Sequence, residues 1–450
     1  MDTPPTTRTR PRGRAVRALA VAGAGALLVT ALPGTASATG GRTWDVRPGE
    51  SIQEAVDEAA SGDTIRLAAG TWTEAVCIQG KGLTIRGAGV DATNIVWPEW
   101  ETAADLQALT PEQREQLTQP CWAEQERVDG EDDETTLADN VSGLFFLNPD
   151  SPVRVSGLTT RNHPASGIVA WGADGFRVSG TSGHEHDRYG IIALDSTNIR
   201  ISGNTEFGRD RGSETRPDSG TAGISVGDSD GASAHISGNH VEGYNLGIFL
   251  REARGGRVAG NTLSGNCIGL LLFDDVATEV PDDSRDVLSG AFRITGNFAT
   301  DNDRYCLQGR DGDQHVSGVG MQVVNSDDVT IAGNVIADNA PTLPASVPFL
   351  TNPAGGLTLI SLPAFNVQPG QATSAGPVEN VRVKGNYFGE NVGFGPIGNP
   401  PTGFGRVHMD IFVSDPSIPP LLPPGDGLVF RGNHCDGGSP QTMCGLPQPV

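Results

Sequence analysis

The chain has 450 residues, of which 37% are hydrophobic and 61 are glycine, so it is long enough to bury one large core. Its formal net charge is −23, and Lys81 and Lys384 are its only lysines. That balance argues against nucleic acid and anionic membranes as partners, because phosphate recognition ordinarily takes a basic surface, and an acidic polysaccharide would call for a bridging cation.

Taken in order, the chain opens on Arg8, Arg10, Arg12, Arg14 and Arg17, an apolar run from Ala18 to Leu32, and Ala36-Ser37-Ala38. Basic, apolar and small-residue segments in that order read as a secretory leader, residues 1–38, expected to be cut after Ala38. The apolar run is short for a membrane span and no other stretch qualifies, so residues 39–450 are expected to be exported, soluble and monomeric. In an exported chain six cysteines are most simply three disulfides, and the preferred pairing is Cys77 with Cys121, Cys267 with Cys306, and Cys435 with Cys444.

A helix is predicted to start at Ser51, with Ser51 as N-cap, Glu54 as its capping-box partner, and Ile52, Ala55, Val56 and Ala59 on one apolar stripe. Such a helix would plug the open end of a stack of strands, which otherwise exposes its core and its unpaired edge. Strand-like pieces follow from Gly62-Asp63-Thr64-Ile65. Residues 97–140 then interrupt the pattern as an inserted segment, with a short helix expected at Thr110-Pro111 and a solvated acidic run from Glu124 to Glu134.

From Gly143 the chain repeats. The Ser-Gly pairs ending at Gly157, Gly180 and Gly203 lie 23 residues apart, and Gly238, Gly260, Gly296, Gly333, Gly385 and Gly432 continue the series. Between these glycines apolar residues alternate rather than recur at helical spacing, most plainly in Ile236–Asp274. One such unit cannot bury its apolar face alone, so stability comes from stacking on its neighbours. The longer gaps between glycines are turn insertions, and residues 396–450 form a Pro-rich, Cys-containing C-terminal cap.

The segments SIQEAVDEAASGDTI, AAGTW and LTIRGAG within residues 46–95, together with the later repeats, resemble the right-handed parallel β-helix proteins of the pectin lyase-like superfamily. The resemblance implies a single-stranded, all-β, right-handed parallel β-helix with an N-terminal capping helix. It says little of activity, since the superfamily spans lyases, hydrolases, epimerases and adhesins. Mannuronan epimerases and their lyase relatives carry Tyr-Gly-x-Asp-Pro-His-Asp where this chain has Tyr189-Gly190-Ile191-Ile192-Ala193-Leu194-Asp195. Ile192 and Leu194 replace the first Asp and the His, so that mechanism is not expected here.

Stacking turns sequence positions into columns. Asn204, Asn239, Asn261, Asn297, Asn334, Asn386 and Asn433 each follow a triplet glycine and should form a hydrogen-bonded ladder. A second column holds Asn148, Asp195, Asp228, Glu252, Asp274, Asn325 and Ser361. Turn capping explains it, and a Ca²⁺ ion relieving the repulsion among Asp195, Asp228, Glu252 and Asp274 is the alternative.

In the first strand of each coil, Ile191, Ile224, Ile248, Leu270 and Met321 should point inward, leaving an unusually apolar outer face that includes Phe145, Leu147, Val169, Trp171, Ile192, Phe249 and Arg251. The resemblance implies that sugar-cleaving members place catalytic groups on this face. Here the face is either covered by the insertion, tethered through Cys77 and Cys121, or is a sugar-stacking platform built on Trp171, Phe249 and Arg251.

One polar cluster competes: Arg161-Asn162-His163 and His184-Glu185-His186-Asp187-Arg188 occupy the same turn in successive coils, placing His163 over His186. It reads as a mutually paired turn, as acid-base machinery of His163, His186, Asp187 and Arg188, or as metal ligands. The functional expectation is therefore a secreted β-helix that binds or remodels extracellular polysaccharide, the alternative being a polysaccharide lyase or hydrolase that uses this cluster.

Overall fold

A computed structural model describes residues 41–98, 110, 119–122, 140–274, 288–308, 312, 314–362, 377–397, 403–416 and 422–439. The leader, the helix expected to follow Thr110, the acidic run 124–134 and Cys444 fall on residues outside this set. The chain is a right-handed parallel β-helix whose coils contribute three strands each. The first and second strands of successive coils make a 22-stranded parallel assembly, and the third strands make a ten-stranded sheet. Leu246–Ala259, a 14-residue strand, runs through the corner and belongs to both the first and the second sheet.

The alternation read from the sequence holds. Ile191, Ile224, Ile248, Leu270 and Met321 pair one above the next in a single column and are fully buried in the main core. Each corner has its own turn chemistry. After the second strand the triplet glycine adopts a left-handed conformation, with φ 62° at Gly238, and turns the following asparagine inward.

The seven asparagines form one unbroken file. In each step the Oδ1 of one accepts both the backbone N–H and the Nδ2 of the asparagine below, at 2.9–3.0 Å from Asn204 through Asn433. A second ladder, Asn266–Asn302–Asn339–Asn391, closes the third sheet five residues after the first and ends on Asp410, whose Oδ1 accepts from Asn391 at 2.9 Å. Burial raises the Asp410 carboxyl above its ordinary value.

At the N-terminal end Ile52–Glu58 is helical and Ser51 caps it, its Oγ accepting from the Glu54 N–H at 3.2 Å. Ile52, Val56 and Ala59 sink into the core below, as the apolar stripe requires. A second capping group comes from the strand region: the buried Glu74 carboxylate takes the Ile52 and Gln53 N–H groups at 2.9 and 3.0 Å and the Ser51 hydroxyl at 2.5 Å. Those N–H groups are the orphan donors of any helix start, and the helix dipole favours an anion there.

Two of the three expected disulfides, Cys77–Cys121 and Cys267–Cys306, are formed. Cys435 is also oxidised.

Candidate functional site

The outer face of the first sheet is covered over its early coils. Trp97, Cys121 and Trp122 are buried with Phe145, Leu147, Val169, Trp171 and Ile192 in an apolar cluster separate from the main core. Trp122 meets Phe145 edge-on at 5.9 Å and Phe145 stacks on Trp171 at 6.5 Å. Trp171 keeps 5% of its surface, too little to present a ring to a sugar, which corrects its assignment to a binding platform. Phe249 and Arg251 lie further along the face, half-buried, with Phe249 tilted against Phe273 at 6.4 Å.

The histidine pair also turns inward. His163 and His186 stack at 5.4 Å as the column predicts, yet neither reaches solvent. The His163 N–H donates to His186 Nδ1 at 3.3 Å, which puts the His186 proton on Nε2, 3.0 Å from Thr160 Oγ1. Burial takes His163 down to about 3 and holds His186 well below the ordinary imidazole value. Both are neutral, enclosed groups, so the pair is removed from acid-base work on a polymer outside. Asp187 remains at the surface, paired with the buried Arg209, which also binds Asp218 at 2.6 Å. Arg188 is half-buried beside it. Among the described residues the cluster is a set of enclosed and mutually paired side chains.

The column Asp195, Asp228, Glu252 and Asp274 is in register, each member following the paired residues Leu194, Gly227, Arg251 and Phe273. Asn148, Asp195, Asp228, Glu252 and Asn325 all hold left-handed φ between 44° and 51°, the turn-capping geometry. Asp274 accepts the Ser289 N–H at 2.9 Å. Among the described residues no three His, Cys, Asp or Glu side chains converge as a metal would require.

What the structure builds, and the sequence reading missed, is a cleft over the late coils of the first sheet. Its floor is Phe412, which stands in one outward column with the buried Gln322 and Thr358. Gln322 is fixed there, its Nε2 donating to Thr358 Oγ1 at 2.9 Å and to Asn352 Oδ1 at 3.1 Å. One wall is the turn insertion 348–354. The other is the antiparallel hairpin of Val392–Ile397 and Gly403–His408. The cavity measures about 430 Å³ and is lined by Phe349, Phe394, Phe404, Phe412 and Asn352, with no titratable side chain in its lining. Phe349 and Phe404 are 62% and 57% exposed, while Phe412 is buried beneath them.

Both walls are braced. The backbone and hydroxyl of Thr351 exchange hydrogen bonds with the backbone of His315 at 2.7–3.4 Å. His315 stands on the hairpin Cys306–Gln308 and Gln314–Val316, which the Cys267–Cys306 bridge fastens to the coil below. Arg406 donates to the Pro341 carbonyl at 3.0 Å, tying the second wall to the first insertion. The one signal in the sequence was Phe349, Phe394 and Phe404 standing in turn insertions, where no core position calls for them.

A family model described as right handed beta helix region matches residues 166–398, more than half of the chain. The chain belongs to that right-handed β-helix family. No curated protein matches this β-helix chain. Among solved structures it is similar to the periplasmic alginate epimerase AlgG, at 13% identity and TM-score 0.45 over 86% of this chain and 83% of that one. It is similar also to the Azotobacter vinelandii mannuronan C-5 epimerase AlgE4 A-module, at 12% identity and TM-score 0.42 over 85% and 90% of the two chains. The catalytic domain of a GH87 alpha-1,3-glucanase in complex with nigerose follows at 12% identity and TM-score 0.35, over 87% and 66%. Likenesses of this degree concern the fold.

Proposed function

We propose that this β-helix protein is an exported carbohydrate-binding protein that holds a polysaccharide in the Phe349–Phe404 cleft without cleaving it. The observation that carries this reading is the composition of the cleft. Exposed phenyl faces supply the apolar surface on which the C–H face of a pyranose ring packs, and Asn352, held in place by Gln322, sets a side-chain amide beside them for a hydroxyl group. Rings already held by braced walls lose little freedom when a sugar docks.

The lining favours binding over chemistry, because glycoside cleavage uses a pair of carboxyl groups and the cleft lining offers none. Two buried disulfides support an oxidising compartment. Among the described residues no helix is long and apolar enough to cross a membrane.

Affinity electrophoresis of the purified protein through gels carrying neutral and acidic polysaccharides tests the reading. Retardation by at least one polymer is expected, weakened about tenfold or more in Phe404→Ala and Phe349→Ala, a loss of roughly 1.4 kcal/mol or above. Both rings are solvent-exposed, so melting temperatures should stay near the parent's. No retardation by any polymer, or retardation unchanged in both variants, removes the cleft from carbohydrate binding.

A further inference from the structure

The second sheet carries a feature at odds with the chain's net charge of −23. Its register stacks Arg154, Arg177, Arg200, His235, Arg257 and Arg293 directly above one another in six consecutive coils. All six side chains are exposed on the outer face, spaced by about 4.8 Å per rung. Beside them runs a second outward column of Ser156, Ser179, Ser202, Ser237, Ala259 and Thr295. Neither column contains an Asp or Glu, and no hydrogen bond or ion pair joins these five arginines to another described residue.

Like charges set directly opposite on neighbouring strands destabilise a sheet. A file of arginines therefore costs the folded chain something wherever two guanidiniums are stacked, and no described residue pairs with them to offset it. A rigid polymer with one anion per repeat, laid along the solenoid axis, would meet a guanidinium at five of the six steps and the His235 imidazole at the other. We propose that this stripe is a docking surface for a linear acidic polysaccharide, a polyuronate, whose carboxylates pair with the arginines and whose hydroxyls meet the serine and threonine column. A pyranose residue spans about the same distance as one rung. Guanidinium is also the cation that best matches a carboxylate, through paired parallel hydrogen bonds.

Single-stranded nucleic acid fits less well, since its binders interleave aromatic rings with the cations and neither column holds a Phe, Tyr or Trp. The surrounding negative charge sharpens the choice, because a polyanion is repelled except along the stripe. This surface is separate from the aromatic cleft, which lies over the first sheet, and the two stand or fall independently. It also revises the expectation that an acidic polysaccharide would need a bridging cation, an expectation that follows only if charge is averaged over the surface.

The test is retention of the full-length protein on immobilised polygalacturonate, with chelator present, against a neutral polymer, polyphosphate and single-stranded DNA. Retention on polygalacturonate is expected, falling about tenfold or more between low and physiological salt as ion pairs are screened and counterions return. The triple variant Arg177→Ser, Arg200→Ser, Arg257→Ser should lose it while melting at or above the parent temperature. The corresponding Lys triple should keep part of it, and Arg211→Ser with Arg216→Ser, on the separate antiparallel hairpin Arg211–Ser213 and Arg216–Asp218, should keep all of it. Absence of retention overturns the proposal, as does retention unchanged in the Ser triple. Preference for polyphosphate or DNA over polygalacturonate overturns it as well.

Discussion

The imidazole of His163 lies stacked on that of His186 with ring centroids 5.4 Å apart, inside the solenoid, where neither ring has solvent to exchange protons with. Their ionisation is therefore tied to unfolding. Both are held neutral in the fold, His163 down to about 3, whereas the unfolded chain protonates near the ordinary value of 6.5. The unfolded state then binds more protons, so this contribution is full above pH 6.5 and is lost as pH falls toward 3. Each histidine should steepen the loss by up to about 1.4 kcal/mol per pH unit. Urea unfolding between pH 7 and pH 4 is expected to show a steeper decline in the parent than in the His163→Gln, His186→Gln double variant. Parallel declines would mean the pair is not the enclosed unit described.

Glu206 gives the opposite sign. It sits on the inward column between Gly183 and Val241, and its Oε2 has no hydrogen-bond partner among the described residues. The site accommodates a carboxyl only because the facing residues are glycines: a Cβ on Gly183 would stand 1.9 Å from Oε2, and one on Gly190 2.1 Å. The neighbouring Tyr244 hydroxyl is likewise buried and unpartnered. Burial raises the Glu206 carboxyl well above its ordinary 4.5, so here the folded state binds the extra proton. Its neutral form is compatible with the core below pH 4.5, and stability is lost as pH rises above that value. Glu206→Gln, which keeps the shape and cannot ionise, should unfold at higher urea than the parent at pH 7 to 8, the two converging below pH 4.5. A Gln variant less stable than the parent at pH 8 would contradict a neutral buried acid.

In the asparagine file, position along the axis should set the cost of a substitution. Replacing Asn297 by Ala takes the acceptor from the N–H and Nδ2 of Asn261 and the donor from Asn334 and the Val258 carbonyl, all inside the fold. Leaving such groups unmet costs about 1 to 3 kcal/mol each, partly relieved by entering water. Asn433 closes the file at a part-buried end, so water replaces what Asn433→Ala removes there. Chemical denaturation should therefore find Asn297→Ala worse by on the order of 2 kcal/mol. Equal penalties would mean the bonds along the file do little for stability.

How much of this was legible follows from what each feature depends on. The asparagine file and the inward Ile191–Met321 column repeat at a fixed offset, and a repeat is visible without coordinates. The second ladder was equally visible, since Asn266, Asn302, Asn339 and Asn391 each fall five residues after a member of the first. So was the arginine stripe, once the second strand is read down its outward position as the first strand was. The inward turn of His163 and His186 was not, because a corner residue's direction depends on local backbone angles rather than on alternation. Nor was the cleft. Phe349, Phe394 and Phe404 stand in insertions of unequal length, and bonds far apart in sequence, such as those of Thr351 with His315 and of Arg406 with Pro341, fix where those insertions lie.

The Cys77–Cys121 bridge is what keeps the early outer face dry. It closes a loop with a sequence separation of 44 residues, for which the chain-entropy argument gives about 4 kcal/mol. Cys121 and Trp122 are fully buried against Phe145, so the bridge fastens the covering segment at the point where it meets the face. A Cys77→Ala, Cys121→Ala variant should therefore do two things at once. It should lose stability by roughly 3 kcal/mol, and it should bind a hydrophobic dye as Phe145, Leu147 and Trp171 come into contact with water. Trp122 fluorescence should shift to longer wavelength as its ring leaves the apolar cluster. The aromatic cleft lies many coils away, beyond the reach of this cluster, so polysaccharide retardation by the Phe349–Phe404 site should survive. A variant that loses stability with no dye binding and no fluorescence shift would mean that packing alone holds the cover, with the bridge acting only on the unfolded chain.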